Sequence, residues 1–288
     1  MAELPSAELG AVVRHLRARF DEGGVKEAAL DARLLVEHIT ATTRADAMTD
    51  PGRHVPPAQM AALLAAMERR LAGEPPYRII GSREFYGMTL ALSEGTLEPR
   101  PDTETLVDLA LPRVRAAADR HGACRILDLG TGTGAVALAL LREEPRAVAV
   151  ATDISLDALA TATRNANMSG NAGRFDVAKS NWFDDVKGSF HAIVSNPPYI
   201  PSMMISSLER EVREHDPLAA LDGGPDGLAP YRMIAEGARR HLHTDGFVAV
   251  EIGYDQEEAV KAIFASQGFQ LFGAAQDLSG TTRALAFG

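Results

Sequence analysis

Residues 126–134 read Ile126-Leu127-Asp128-Leu129-Gly130-Thr131-Gly132-Thr133-Gly134, and Ala135–Leu141 follows as an almost wholly apolar run. The pattern predicts a buried strand, a tight glycine turn and a buried helix. Glycines let the backbone turn sharply and approach a ligand, and the amides that open a helix carry partial positive charge. At the end of the next apolar run, Ala147–Asp153, stands Asp153, placed to accept both hydroxyls of a ribose. Gly130-x-Gly132-x-x-Ala135 also fits a dinucleotide fingerprint. Asp128, two residues before the first glycine, and the depth of the unit within the chain favour S-adenosylmethionine.

Around this unit the pattern alternates. Arg125–Leu129, Ala147–Asp153, Phe175–Lys179, His191–Ser195 and Phe247–Ile252 are short apolar runs, and helical stretches such as Leu156–Met168 separate several of them. This predicts an α/β fold with a doubly wound, mostly parallel sheet covered on both faces. Ligands in such sheets sit at the carboxyl ends of strands, so the loops after Leu129, Asp153 and Ser195 are the places for a site.

The loop after Ser195 is Asn196-Pro197-Pro198-Tyr199. Two prolines fix φ and donate nothing, so the loop is stiff and offers acceptors. The Asn196 side-chain oxygen and a neighbouring backbone carbonyl can hold the two N–H groups of a planar –NH2, and Tyr199 can pack on the flat target. This suits methyl transfer to an amide or exocyclic amine. The lone pair of such a group is delocalised, and orienting its N–H groups frees it for attack.

Ahead of the sheet the chain reads as short helices. Leu9, Val12, Val13 and Leu16 recur at helical spacing, Asp50-Pro51-Gly52 breaks the run, and Pro56-Pro57 opens a helix carrying Met60, Leu63, Leu64, Met67 and Leu71. The net charge is −1 up to Ile80 and −9 beyond it, which marks two parts of different electrostatic character. Between them Arg83–Leu92 alternates about Gly87, as a β-hairpin does. The expected domains are a helical substrate-docking domain over 1–75, a hairpin linker over 76–103 and a methyltransferase domain over 104–288.

Composition narrows the function. The 46% hydrophobic and 24% charged residues are those of an ordinary globular protein, and a net charge of −10 offers no general attraction to nucleic acid or an anionic membrane. Met1–Pro5 shows no leader pattern and no apolar run is long enough to span a bilayer. Cys124 is the single cysteine, so it cannot form an intrachain disulfide or a multi-cysteine zinc site, and core packing is its expected role. The histidines show no ligand spacing, so no metal is expected. The reading is a cytoplasmic protein.

Taken together the motifs resemble the PrmC/HemK family, the protein-(glutamine-N5) methyltransferases that modify peptide chain release factors. The resemblance covers nearly the whole chain: the helical cap, Glu98–Glu104, Asp128–Gly134, Asp153, Asn181–Phe183, Asn196–Tyr199 and Leu221–Leu228. It implies a Rossmann-like class I methyltransferase with a seven-stranded, mostly parallel sheet whose last strand is antiparallel. The cofactor would be S-adenosylmethionine, leaving as S-adenosylhomocysteine, bound through Gly130, Thr131, Gly132, Thr133, Gly134, Asp153, Trp182 and Asn196. Asn196, Pro197, Pro198 and Tyr199 would carry catalysis and hold the glutamine of the release factor's Gly-Gly-Gln loop, with Arg100 and Asp102 in the same pocket. The partner would be a class 1 release factor, met by a monomer without direct nucleic-acid contact. An adenine-N6 methyltransferase is the alternative.

Three residues depart from the family pattern: Glu98 where an aliphatic residue is usual, Asn181 where Asp is, and Thr282 where Asp precedes the arginine. Read by themselves, Trp182 is equally a core aromatic or an adenine contact, Glu251 is a structural carboxylate more readily than a pocket one, and Asp222–Gly227 shapes a substrate mouth or is only a turn.

Overall fold

The computed structural model describes residues 6–288; Met1–Pro5, read above for a leader, lie outside the described residues. The chain divides into two compact units, the first ending at Gly81 and the second running Ser82–Gly288. Among the described residues no helix is long and apolar enough to cross a membrane.

The described residues of the first unit form five helices: α1 (Leu9–Glu22), α2 (Ala28–Thr40), α3 (Arg44–Thr49), α4 (Pro57–Leu71) and α5 (Pro76–Ile80). Leu9, Val12, Leu16 and Phe20 of α1 share a core with Leu35 and Val36 of α2 and with Leu63 and Met67 of α4. Thr43 and Asp46 cap α3 reciprocally, and Pro57 opens α4 at a position where a missing N–H costs nothing. A charge pair is buried here, Arg70 Nε donating to Asp31 Oδ2 at 2.7 Å. Residues 76–80, read as linker, form a helix because Pro76 stands at its first turn, and α5 packs on α2 and α4.

The second unit opens with the hairpin β1 (Ser82–Phe85) and β2 (Met88–Ala91) and continues through α6 (Glu104–His121), β3 (Cys124–Leu129), α7 (Ala135–Glu143), β4 (Ala147–Asp153), α8 (Leu156–Met168), β5 (Phe175–Lys179) and β6 (Phe190–Ser195). It ends with α9 (Arg210–His215), α10 (Ala229–Ala238), β7 (Leu242–Glu251), α11 (Glu257–Ser266), β8 (Leu271–Gln276) and β9 (Thr282–Phe287). The sheet order is β5-β4-β3-β6-β7-β9-β8, parallel except for β9, which runs antiparallel to both neighbours. The seven-stranded, mostly parallel sheet, the helical region before it and the hairpin are as the sequence reading had them.

Strand residues alternate between two cores. Ile126, Ala149, Ala192 and Val194 face α6, α7 and α8, whereas Leu127, Leu129, Ile193, Val248 and Val250 face α10 and α11. Cys124 is buried in the first of these cores, and burial pushes its thiol up to about 12. β7 begins five residues before the apolar run that announced it, because His243, Thr244 and Asp245 are exposed and give no periodic signal. From central β3 the chain winds outward through β4 and β5, then returns to place β6 on the other side of β3. That reversal opens a crevice between the loops after β3 and β6.

Candidate active site

Ser195 ties the two loops together by donating its hydroxyl to the Leu129 carbonyl at 2.7 Å. Past that stitch lies a cavity of about 390 Å³, within the range of small-molecule sites. Gly130, Thr131, Gly132, Thr133, Asp153, Trp182, Asn196 and Pro198 line it, as do Asp128, Thr103 and Asn181.

Gly130 and Gly132 have φ of +69° and +53°, a backbone that side chains resist, and added Cβ atoms would meet nothing within 4 Å. Gly134 differs. It is not part of the lining, and a Cβ there would press on Leu138 at 3.1 Å and Phe175 at 3.3 Å, so this glycine serves close packing of helix on sheet. Asp153 Oδ2 accepts the Gly132 N–H and Oδ1 the Ser155 N–H, both at 2.9 Å, which fixes the carboxylate while leaving lone pairs for a ligand. Burial pushes Asp128 up to about 6, although the Thr131 hydroxyl donates to it at 2.7 Å. Fully buried Asn165 joins the glycine loop to the hairpin, donating to the Thr133 and Ala91 carbonyls and accepting from the Ala91 N–H.

Trp182 sits at φ +52°, uncommon for a bulky residue. Ser180 pins that turn by donating to the Trp182 carbonyl at 2.9 Å and accepting the Asp185 N–H at 3.1 Å. Trp182 both lines the cavity and packs on the core, so the two readings of it meet in one side chain.

In the loop after β6, Asn196 donates through Nδ2 to the Thr103 hydroxyl at 3.1 Å. Its Oδ1 has no hydrogen bond among the described residues. Pro197 is buried and not part of the lining, and Tyr199 lies behind the loop with its ring on the second core. The Tyr199 hydroxyl reaches Glu251 Oε1 at 3.5 Å, and burial followed by the Glu251 charge raises its phenol above the usual range. The Tyr199 carbonyl is taken by Gln256 Nε2 at 2.9 Å. Leu221–Gly227 does more than turn: Ile200 donates to the Leu221 carbonyl and accepts the Gly223 N–H, so this loop braces the one after β6.

Arg100 and Asp102 do not line the cavity; neighbouring charges hold them instead. Arg100 donates to Asp216 at 2.8 Å, anchoring the segment that brings Pro217, Ala219 and Ala220 to the wall, and Asp102 pairs with Arg283 at 3.3 Å. Of that segment Thr103 reaches the cavity. Glu98 is buried between Arg83 and Arg100, so the carboxylate at an aliphatic position is neutralised on both sides. Thr103 belongs to the Arg100–Glu104 segment expected at the pocket, but sequence patterns gave no role to Ser180, Ser195, Gln256 or Asp216. Among the described residues no cluster of His, Cys, Asp and Glu could hold a metal ion.

The PrmC N-terminal domain profile matches residues 11–81, and the methyltransferase small domain profile matches residues 111–208. A release factor glutamine methyltransferase of Agrobacterium fabrum is 51% identical over 98% of this chain and 96% of its own. One of Caulobacter vibrioides is 42% identical over 91% and 89%. Among solved structures, a methyltransferase from Pyrococcus furiosus superposes with a TM-score of 0.53 at 19% identity, covering 80% of this chain and 97% of that one, which shows a shared fold.

Proposed function

The chain belongs to the release factor glutamine methyltransferase family, and on that premise we propose that it moves a methyl group from S-adenosylmethionine to the side-chain nitrogen of the glutamine in a release factor's Gly-Gly-Gln loop. The observation that carries this reading is that one cavity is lined both by Asp153 with the glycine loop and by Asn196, whose side chain donates to Thr103 through Nδ2 and so keeps its oxygen available as an acceptor.

The residues present fit the cofactor. Gly130 and Gly132 leave open space against backbone, Asp153 offers lone pairs to ribose hydroxyls, and Trp182 supplies an aromatic wall beside Asn181. S-adenosylmethionine, when bound, supplies a methyl on a cationic sulfur. Asp128, a carboxylate in the cavity floor, favours that positive charge.

Asn196 Oδ1 accepts one N–H of the glutamine amide, and a carbonyl of the stiff Pro197–Pro198 turn accepts the other. With both N–H groups held, the amide plane is fixed and the nitrogen lone pair would be free to face a methyl donor. No residue would have to act as a base beforehand, because transfer would leave the donor as a neutral thioether and the nitrogen cationic, and the proton would then pass to water. Pro198 excludes water from one edge, while Tyr199 and Gln256 hold the turn from behind.

We assign the helical unit to docking of the release factor, and the protein to the cytoplasm as a monomer. The test is incubation with labelled cofactor and a panel of release factor, DNA and RNA. Label is expected on release factor alone, and label on nucleic acid would move the chain to the adenine class. The second unit by itself should bind cofactor and methylate intact release factor far more slowly.

A further inference from the structure

At the carboxyl end of β7, Glu251 is buried behind the Asn196–Tyr199 loop, and its Oε2 has no hydrogen-bond partner among the described residues. Its Oε1 receives a long 3.5 Å contact from Tyr199. A carboxylate so short of donors is costly to bury, and the reaction derived above gives it no part. One residue separates it from the reacting loop. The Thr103 side chain stands beside the carboxylate, where it favours the charged form, and accepts the Asn196 Nδ2–H at 3.1 Å.

A threonine hydroxyl has one proton to give and lone pairs to receive with. An ionised carboxylate can only accept, so its charge favours a Thr103 rotamer with the proton turned toward Glu251. The Thr103 oxygen can then meet Asn196 only through Nδ2–H, which leaves Oδ1 for the cavity. Protonation of Glu251 removes that constraint. The Thr103 proton is free to turn to Asn196, and a flipped carboxamide would present N–H to the target's N–H groups, donor against donor.

We propose that Glu251, acting through the Thr103 hydroxyl, is the positioning residue that holds the Asn196 carboxamide with its oxygen toward the target –NH2. This rests on the reading of Asn196 as the acceptor for the target amide. The groups around Glu251 set when the device works. Asp102 opposes its charge and Arg283 of β9 favours it; Tyr199 faces it from the loop, and Tyr231 of α10 donates to the Glu251 carbonyl at 3.0 Å. Burial outweighs these and pushes the carboxyl up to about 7, while both phenols are raised and stay protonated. Methyl transfer should therefore rise with pH as Glu251 ionises, by about tenfold from pH 6 to pH 8, and then level off.

The test is single-turnover methylation of release factor at saturating cofactor and substrate from pH 6 to 9, with calorimetric cofactor affinity alongside. Glu251→Gln and Thr103→Val should lose the inflection near pH 7 and run slower at pH 8 by on the order of 10²-fold or less. Thr103→Ser keeps the hydroxyl and should restore both rate and inflection. Should Glu251→Gln fail to fold, seen as lost cofactor binding, the Thr103→Val and Thr103→Ser pair decides alone. An inflection near pH 7 that persists in Glu251→Gln, or Thr103→Val matching the parent, overturns the inference. Failure of the functional reading looks different: a parent that transfers no methyl to release factor, or Asn196→Ala as fast as the parent, removes this inference with it.

Discussion

On the β3–β4 side of the cavity the carboxylates have donors: Asp153 takes two backbone N–H groups and Asp128 the Thr131 hydroxyl. On the β6–β7 side Glu251 keeps one oxygen with no hydrogen bond among the described residues, and the Tyr199 hydroxyl reaches the other at 3.5 Å. Both sides are close-packed and both line one crevice. The contrast follows from what each must do. A cofactor presents the same groups at every turnover, so its side can be satisfied in advance, with the ligand adding to hydrogen bonds already made. A target amide must be turned so that its lone pair faces the methyl, and a hydrogen-bond chain that is short of donors at its far end has a direction to impose.

Removing the acceptor on the target side should have the largest effect. Asn196→Ala is expected to lower the saturating single-turnover rate by about 10²–10³-fold, by analogy with losing one preorganised group from an oxyanion hole. Cofactor affinity measured in the same preparations should change far less, and an equal fall in both would erase the division between the two sides.

Asp153→Ala probes the other side. Hydrogen bonds to a charged group contribute about 1.5–3 kcal/mol, so S-adenosylmethionine should bind roughly 10–100-fold more weakly. The Gly132 N–H also loses its partner, so the loss falls on the loop as well as the ligand. Calorimetry giving parental affinity would sink the ribose assignment.

The smallest effect has the opposite sign. Glu251 ionises more readily unfolded than folded, since burial raises it from the ordinary 4.5 to about 7. Its protonated form is therefore favoured by folding, and its ionisation subtracts stability as pH rises toward and through 7. Glu251→Gln carries no such charge. Its melting temperature should exceed the parent's at pH 8, by roughly 2–4 °C for each kcal/mol recovered, with the gap closing toward pH 5. A variant less stable than the parent at pH 8 would mean that the carboxylate is well solvated and the contrast false.

The two sides also differed in how far the sequence announced them. Asp128–Gly134 and Asp153 could be read directly, because a strand, a glycine turn and a helix are contiguous and their spacing is fixed by backbone geometry. Asn196–Tyr199 could be read for the same reason. The groups that orient Asn196 could not: Thr103 lies 93 residues away in the chain and Glu251 on another strand. They come together only when α6 and β7 pack beside β6. Arg100 and Asp102 were expected in the pocket because their segment is there, but Asp216 and Arg283, still more distant in sequence, take their charges. Trp182 could not be apportioned between core and cavity, since nothing local reveals the left-handed turn that lets it serve both.

The central claim is that this chain places a methyl group on one particular nitrogen. Its most direct test is mass spectrometry of release factor fragments after reaction with the parent and with Asn196→Ala under identical conditions. The account predicts one added methyl on the glutamine of the Gly-Gly-Gln fragment, formed by the parent and nearly absent with the variant. A methyl on any other residue, or equal modification by both proteins, would contradict it.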